Sequence, residues 1–115
     1  MEIKEFAKEV HQNAVNHGWY SEPRSFGEVI ALMHSELSEA LEEYRDGHET
    51  NITYYSGKTI GGTPRKPEGV PTELADCIIR ILDTCVQEGI DIGKALMEKH
   101  EYNKSRPYRH GGKKI

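Results

Sequence analysis

Cysteine is scarce in this chain: there are two, Cys77 and Cys85, and neither belongs to a CxxC pair. A zinc site built on thiolates therefore has no ligand set to draw on. The two lie eight residues apart in one predicted helix, a rise of about 12 Å, which is too far for a disulfide between them. They read as reduced, mostly buried thiols. Long apolar runs are missing too, and nothing approaches the ~20 residues that a bilayer-spanning helix needs. The opening Met1-Glu2-Ile3-Lys4-Glu5-Phe6 lacks the basic-then-apolar pattern of a secretion signal, so a cytoplasmic location is expected. Neither a GxxxxGKS/T loop nor a GxGxxG fingerprint occurs, which removes the P-loop and Rossmann routes to a nucleotide. No Glu is followed by His three residues later, which argues against a di-iron carboxylate bundle. Hydrophobic residues make up 36% of the chain and mean hydropathy is -0.72, so any core is modest and a partner subunit has room to supply more.

What the chain does have is acid at helical spacing. Glu36-Leu37-Ser38-Glu39 and Glu73-Leu74-Ala75-Asp76 each place two carboxylates three residues apart. On a helix such residues sit about 60° apart around the axis and about one turn along it. Two such helices side by side bring four carboxylates together, and like charges held that close need a cation between them. Oxygen ligands without cysteine favour a hard ion, Mg²⁺ or Mn²⁺, which takes further ligands from substrate phosphates.

Charge is distributed unevenly around this feature. The net charge of -4 hides an acidic stretch over residues 28–46, with six acids against Arg45 alone. It also hides a basic end over residues 103–115, with Lys104, Arg106, Arg109, Lys113 and Lys114 and no acid. A metal-bound polyphosphate needs both. Charge by itself fits a solvated face and a frayed terminus better than a site.

The length of 115 residues suits a single domain, 1–115, and its periodicity is helical. Ile3, Phe6, Ala7, Val10 and Ala14 predict a helix over residues 2–17, ended by Gly18. Ser25 with Glu28 forms a capping-box pattern for a second helix, whose stripe runs Phe26, Ile30, Met33, Leu37, Ala40, Leu41, Tyr44 up to Gly47. Residues 47–69 show no helical period and read as a long loop, with a short extended piece at 51–55. A third helix, about 70–88, has Pro71 in its first turn and is apolar around much of its circumference, as a central helix is. Arg80 on it is spaced to pair with Asp76 or Asp83. Asp91 is the expected N-cap of a fourth helix over 92–104, ended by Pro107, with a basic tail over 107–115.

The remaining candidates are weaker. His34, two residues before Glu36, is a lone histidine and reads as a packed or hydrogen-bonding residue. Trp19 and Tyr20 could stack on a base, but sealing the end of the core is the more ordinary role. His110-Gly111-Gly112-Lys113 could wrap phosphate with backbone N–H groups, on a weak motif.

Taken with their surroundings, these residues resemble the MazG-like, all-α nucleoside triphosphate pyrophosphohydrolases. The resemblance lies in His34-Ser35-Glu36-Leu37-Ser38-Glu39-Ala40-Leu41-Glu42, in Glu73-Leu74-Ala75-Asp76-Cys77-Ile78-Ile79-Arg80, in Lys66-Pro67-Glu68-Gly69, and in the ending from Asn103 to Lys113. It implies a four-helix bundle-like fold completed by dimerisation or tetramerisation. It also implies Mg²⁺-dependent cleavage of a nucleoside triphosphate between the α and β phosphates, giving a monophosphate and pyrophosphate. Carried over by position, Glu36, Glu39, Glu73 and Asp76 hold the metal. Lys99, Asn103 and Arg106 face the phosphates, with His110 and Lys113 beside them. Two departures stand out. The 33 residues between Glu39 and Glu73 exceed the family's usual spacing, which makes 47–69 an insertion. Some members carry a water-activating Glu where this chain has Ser35, which leaves either Glu39 as the candidate base or a metal-bound hydroxide that needs none. The alternative is a nucleotide-binding or interaction module on the same scaffold without catalysis.

Overall fold

The computed structural model describes residues 2–57, 59, 61–112 and 114, leaving aside the side chain of His110. The chain is predominantly helical: α1 (Ile3–Asn16), α2 (Phe26–Arg45), α3 (Val70–Gln87), α4 (Ile92–Ser105) and a short α5 (Arg109–Gly112). A two-stranded ribbon, β1 (Tyr54–Ser56) and β2 (Lys66–Glu68), lies between α2 and α3. Among the described residues no helix is long and apolar enough to cross a membrane.

Local chemistry accounts for the helix boundaries. Ser25 Oγ accepts the Glu28 N–H at 3.1 Å, and Asp91 Oδ1 accepts the Lys94 N–H at 3.1 Å, so both expected N-caps form. After α1 the Gly18 N–H returns to Val15 O and the Trp19 N–H to Ala14 O. This paired closure needs the left-handed backbone that Gly18 adopts, with φ 80°. At the other end of the chain, Arg106 is extended (φ -73°, ψ 149°), as the residue before Pro107 should be.

α3 is the central element, packing against α2 along one side and α1 along another. Ala7, Ala40, Val70, Cys77, Leu82 and Cys85 form the small buried core. Both thiols are free, and Cys77 Sγ donates to Met33 O at 3.5 Å, at the seam between α2 and α3. α4 rests chiefly on α1 and buries none of its residues, so it does not enter the α1–α2–α3 layer as a fourth bundle helix would.

The expected apolar stripe of α2 is met in part: Ala40 is buried and Ile30 and Met33 are half-buried. α2 turns Glu36 and Ala40 inward, while Leu37, Leu41 and Tyr44 remain exposed, as do Leu74 and Ile78 on α3. An apolar face is therefore uncovered in the single chain, because three helices cannot bury both sides of a two-sided helix pair.

The segment 47–69 is more ordered than a plain loop. β1 and β2 pair antiparallel, Tyr54 opposite Glu68 and Ser56 opposite Lys66. The short extended piece is thus real but shifted to 54–56, and its partner strand carries too little pattern to announce itself. The Tyr54 hydroxyl bonds both Glu43 oxygens, at 3.0 and 2.8 Å, and His48 stacks on the Tyr54 ring at 4.6 Å. These contacts tie the ribbon to the end of α2. Gly69 then joins β2 to α3 with φ 117°, and a Cβ there would lie 2.6 Å from Ile52 O. Gly69→Ala should lower stability by about 1–2 kcal/mol for the left-handed backbone, with more from the clash. Gly27→Ala, whose added Cβ meets nothing closer than 3.9 Å, should be neutral or stabilising. Thermal melts followed by helical circular dichroism compare the two.

Candidate metal centre

Packing of α2 on α3 decides which acids meet. Glu36, midway along α2, faces the first two turns of α3, which carry Glu73 and Asp76. One carboxylate oxygen from each of the three lies within 4.8 Å of the others. Glu36 is 7% exposed; Glu73 and Asp76 are half-buried. Glu36 Oε1 accepts from Arg80 Nε at 3.0 Å. Glu36 Oε2 and Glu73 Oε2 are buried with no hydrogen-bond donor among the described residues. Acceptors left dry in this way carry a substantial desolvation cost, and a cation placed among them would remove it.

Protonation behaviour reports the same crowding. Glu73 is pushed up to about 7, by burial first, then by its contacts with the Glu39 and Glu36 carboxylates and by the charges of Glu39 and Asp76. Asp76 is also raised, by burial and the charge of Glu36, with Arg80 and Lys66 opposing. A cluster that retains a proton near neutrality is short of positive charge. These residues fit a hard divalent cation: oxygen donors only, two of them unsatisfied, and no thiol nearby.

Glu39, the fourth acid of the motif pair, is exposed and stands outside the group of three, although its charge acts on Glu73. Ser35 is exposed and donates to Leu32 O of its own helix at 2.6 Å. His34 is exposed on α2 and takes no part in the cluster.

A cleft of about 890 Å³ opens beside the carboxylates, between α1, the 17–25 connection, α2 and α3. Glu36, Asp76 and Arg80 line it, as do Phe6, Val10, Trp19 and Phe26. Trp19 is 52% exposed with the Arg24 guanidinium 5.2 Å above its ring, so it lines the cleft instead of sealing the core. Asp83, one heptad from Asp76, also lines the cleft. His11 Nδ1 bonds Asp83 Oδ1 at 2.9 Å, and burial together with the Tyr20–Asp83 contact raises the Tyr20 phenol.

The basic candidates lie elsewhere in the single chain. Lys99 and Asn103 are exposed on α4, and Arg106 caps it. Lys99 Nζ and the Arg106 guanidinium lie 4.9 and 5.9 Å from the Tyr102 ring centroid, and none of the three lines the cleft. His110 belongs to α5, and Lys113 lies outside the described residues.

Sequence reasoning missed the Arg80–Glu36 bond, the His11–Asp83 bond and the cleft. A signal existed for His11, since Ala7, His11 and Ala14 share one face of α1. The expected pairing of Arg80 with Asp76 or Asp83 gives way because Glu36, across the helix seam, is the more deeply buried charge. No protein-family model, curated protein or solved structure matches the chain.

In metal-free protein the raised Glu73 favours the fold while it is protonated. Its contribution is complete below about 4.5 and is lost as pH rises through about 7. Melting temperatures in chelator should therefore fall across that window for the wild type relative to Glu73→Gln. Divalent-ion affinity should rise across the same window, because the proton competes for the site. Equal pH profiles for the two proteins would remove Glu73 as the titrating group.

Proposed function

We propose that the chain is a Mg²⁺-dependent nucleoside triphosphate pyrophosphohydrolase of the MazG-like kind. The observation that carries this reading is the carboxylate cluster across α2 and α3, with two buried oxygens lacking donors, two of whose members, Glu36 and Asp76, line a cleft large enough for a nucleoside. Glu36, Glu73 and Asp76 would hold the ion, with Glu39 approaching from the exposed side. When bound, Mg²⁺ (or Mn²⁺) polarises the phosphoryl oxygens and lowers the cost of charge on the leaving pyrophosphate. In the reaction, water oxygen bonds to the α-phosphorus as the bond to the α–β bridging oxygen breaks, giving a nucleoside monophosphate and pyrophosphate. Glu39, solvated and beside Glu73, is the carboxylate in this proposal that takes the proton from water. The apolar and aromatic lining around Trp19 and Phe26 suits the base and excludes water from it.

The uncovered face formed by Leu37, Leu41 and Tyr44 of α2 with Leu74 and Ile78 of α3 supports a homodimer or homotetramer as the working form. Such an assembly gives α4 and the basic end a second way to approach a site. On this proposal Leu41→Glu reduces the sedimenting mass to that of one chain or of a smaller assembly. An unchanged mass would count against this interface.

A second reading, nucleotide binding without turnover, is favoured by Ser35, whose hydroxyl is already committed to Leu32 O. Pyrophosphate release from a panel of NTPs and dNTPs with Mg²⁺ separates the two. The enzyme reading expects release, and a loss on the order of 10²-fold or more in Asp76→Ala with helicity retained. Tight nucleotide binding with no product would establish the second reading.

A further inference from the structure

Arg80 is a charged group in contact with the carboxylate cluster that the proposed reaction does not use. It sits one helical turn beyond Asp76 on α3, and its side chain is 32% exposed. Nε donates to Glu36 Oε1 at 3.0 Å, and this is its one side-chain hydrogen bond or ion pair among the described residues. A guanidinium has five N–H donors, so the four on its two terminal nitrogens are left without protein acceptors. Arg80 lines the cleft together with Glu36 and Asp76, so those donors belong to the stretch of wall where the carboxylates meet the open volume.

Several facts narrow what such donors are for. The terminal nitrogens of Arg80 are not among the buried groups without a partner, so they are open to solvent and to an anion entering the cleft. The acids already nearby do not take them up: neither Asp76 nor Asp83 forms an ion pair with Arg80, though Asp76 feels its charge. Arg24, the other arginine on the cleft, stacks over Trp19. Lys99 and Arg106 lie against Tyr102 on the α4 side. A planar fork of donors beside a carboxylate cluster matches the oxygens of a phosphate chain, and the guanidinium keeps its charge at any working pH.

We infer that Arg80 binds the substrate's phosphate chain, its Nε holding Glu36 in place while its terminal nitrogens donate to phosphate oxygens. This rests on the polyphosphate reading of the site. The bond to Oε1 fixes the Glu36 carboxylate so that Oε2 stays directed to the cation position. The same side chain thereby couples cation and phosphate, and a lysine, with a point charge and no fork, reproduces only part of this.

The test is calorimetric titration of wild type, Arg80→Lys and Arg80→Met with Mn²⁺ alone, and then with inorganic pyrophosphate in the presence of Mg²⁺. Arg80→Lys keeps a cation beside Glu36, so a folded variant is available even where Arg80→Met melts early. Pyrophosphate affinity should fall about 10- to 100-fold in Arg80→Met and by an intermediate factor in Arg80→Lys. Mn²⁺ affinity alone should change by a smaller factor. Unchanged pyrophosphate affinity in both variants, or a fall that only follows lost Mn²⁺ affinity, overturns the inference. A wild type that binds Mn²⁺ but no pyrophosphate overturns it as well. Arg80-dependent pyrophosphate binding in a protein that hydrolyses no nucleotide leaves this inference standing and removes the enzymatic reading alone.

Discussion

Burying Glu36 at the seam between α2 and α3 is the constraint from which the rest of the structure follows. A leucine at that position would be covered by α3 and would stabilise the helix pair. A carboxylate there, 7% exposed, faces two more carboxylates and leaves one oxygen without a donor. Arg80 bonds the other oxygen alone. Burial raises Glu73 and Asp76, and the neighbouring carboxylates add to it, Glu39 and Glu36 at Glu73 and Glu36 at Asp76, because like charges repel more strongly inside protein than in water. The helix seam is thus built around a charge imbalance that a divalent cation would relieve.

The fold delivers this arrangement economically. α3 packs on both α2 and α1, and the cleft beside it has lining residues of different chemistry. Glu36, Asp76 and Arg80 are among them, and so are Phe6, Val10, Trp19 and Phe26. Tyr54, bound to Glu43 and stacked on His48, holds the ribbon beside the end of α2, so β2 feeds directly into α3 through Gly69. Lys66 on that ribbon is near enough for its charge to act on Asp76. The uncovered leucines and tyrosine of α2 leave the single chain with a small core, which is why an assembly enters the functional proposal.

The helices were legible because their signals are local. Ser25 and Asp91 cap as their side chains allow, Gly18 closes α1 by a left-handed turn, and Pro107 ends the fourth helix. The acidic pairs were legible as a candidate site because three-residue spacing fixes a shared helix face. What escaped depends on helices meeting in space. Periodicity placed Leu37, Ala40 and Leu41 on a core stripe, yet of these only Ala40 is buried and Glu36 turns inward beside it, a shift of the buried face that no single-helix pattern specifies. Arg80 had acidic neighbours on its own helix, and its partner came from across the seam. Three residues each of β1 and β2 are too few to show alternation against a glycine-rich background. The basic residues of α4 were placed by resemblance, and within one chain they lie against Tyr102 and away from the cleft.

The central claim is that the acids of α2 and α3 act together as a site for one hard divalent cation. Mn²⁺ binding followed by electron paramagnetic resonance, in wild type and in Glu36→Gln, tests it most directly. The amide keeps the shape and volume of the buried side chain but removes its charge. The account predicts one bound Mn²⁺ per chain in the wild type, displaced by excess Mg²⁺, and loss of that binding in folded Glu36→Gln. Retention of wild-type Mn²⁺ binding by the variant, or no binding by either protein, would contradict it.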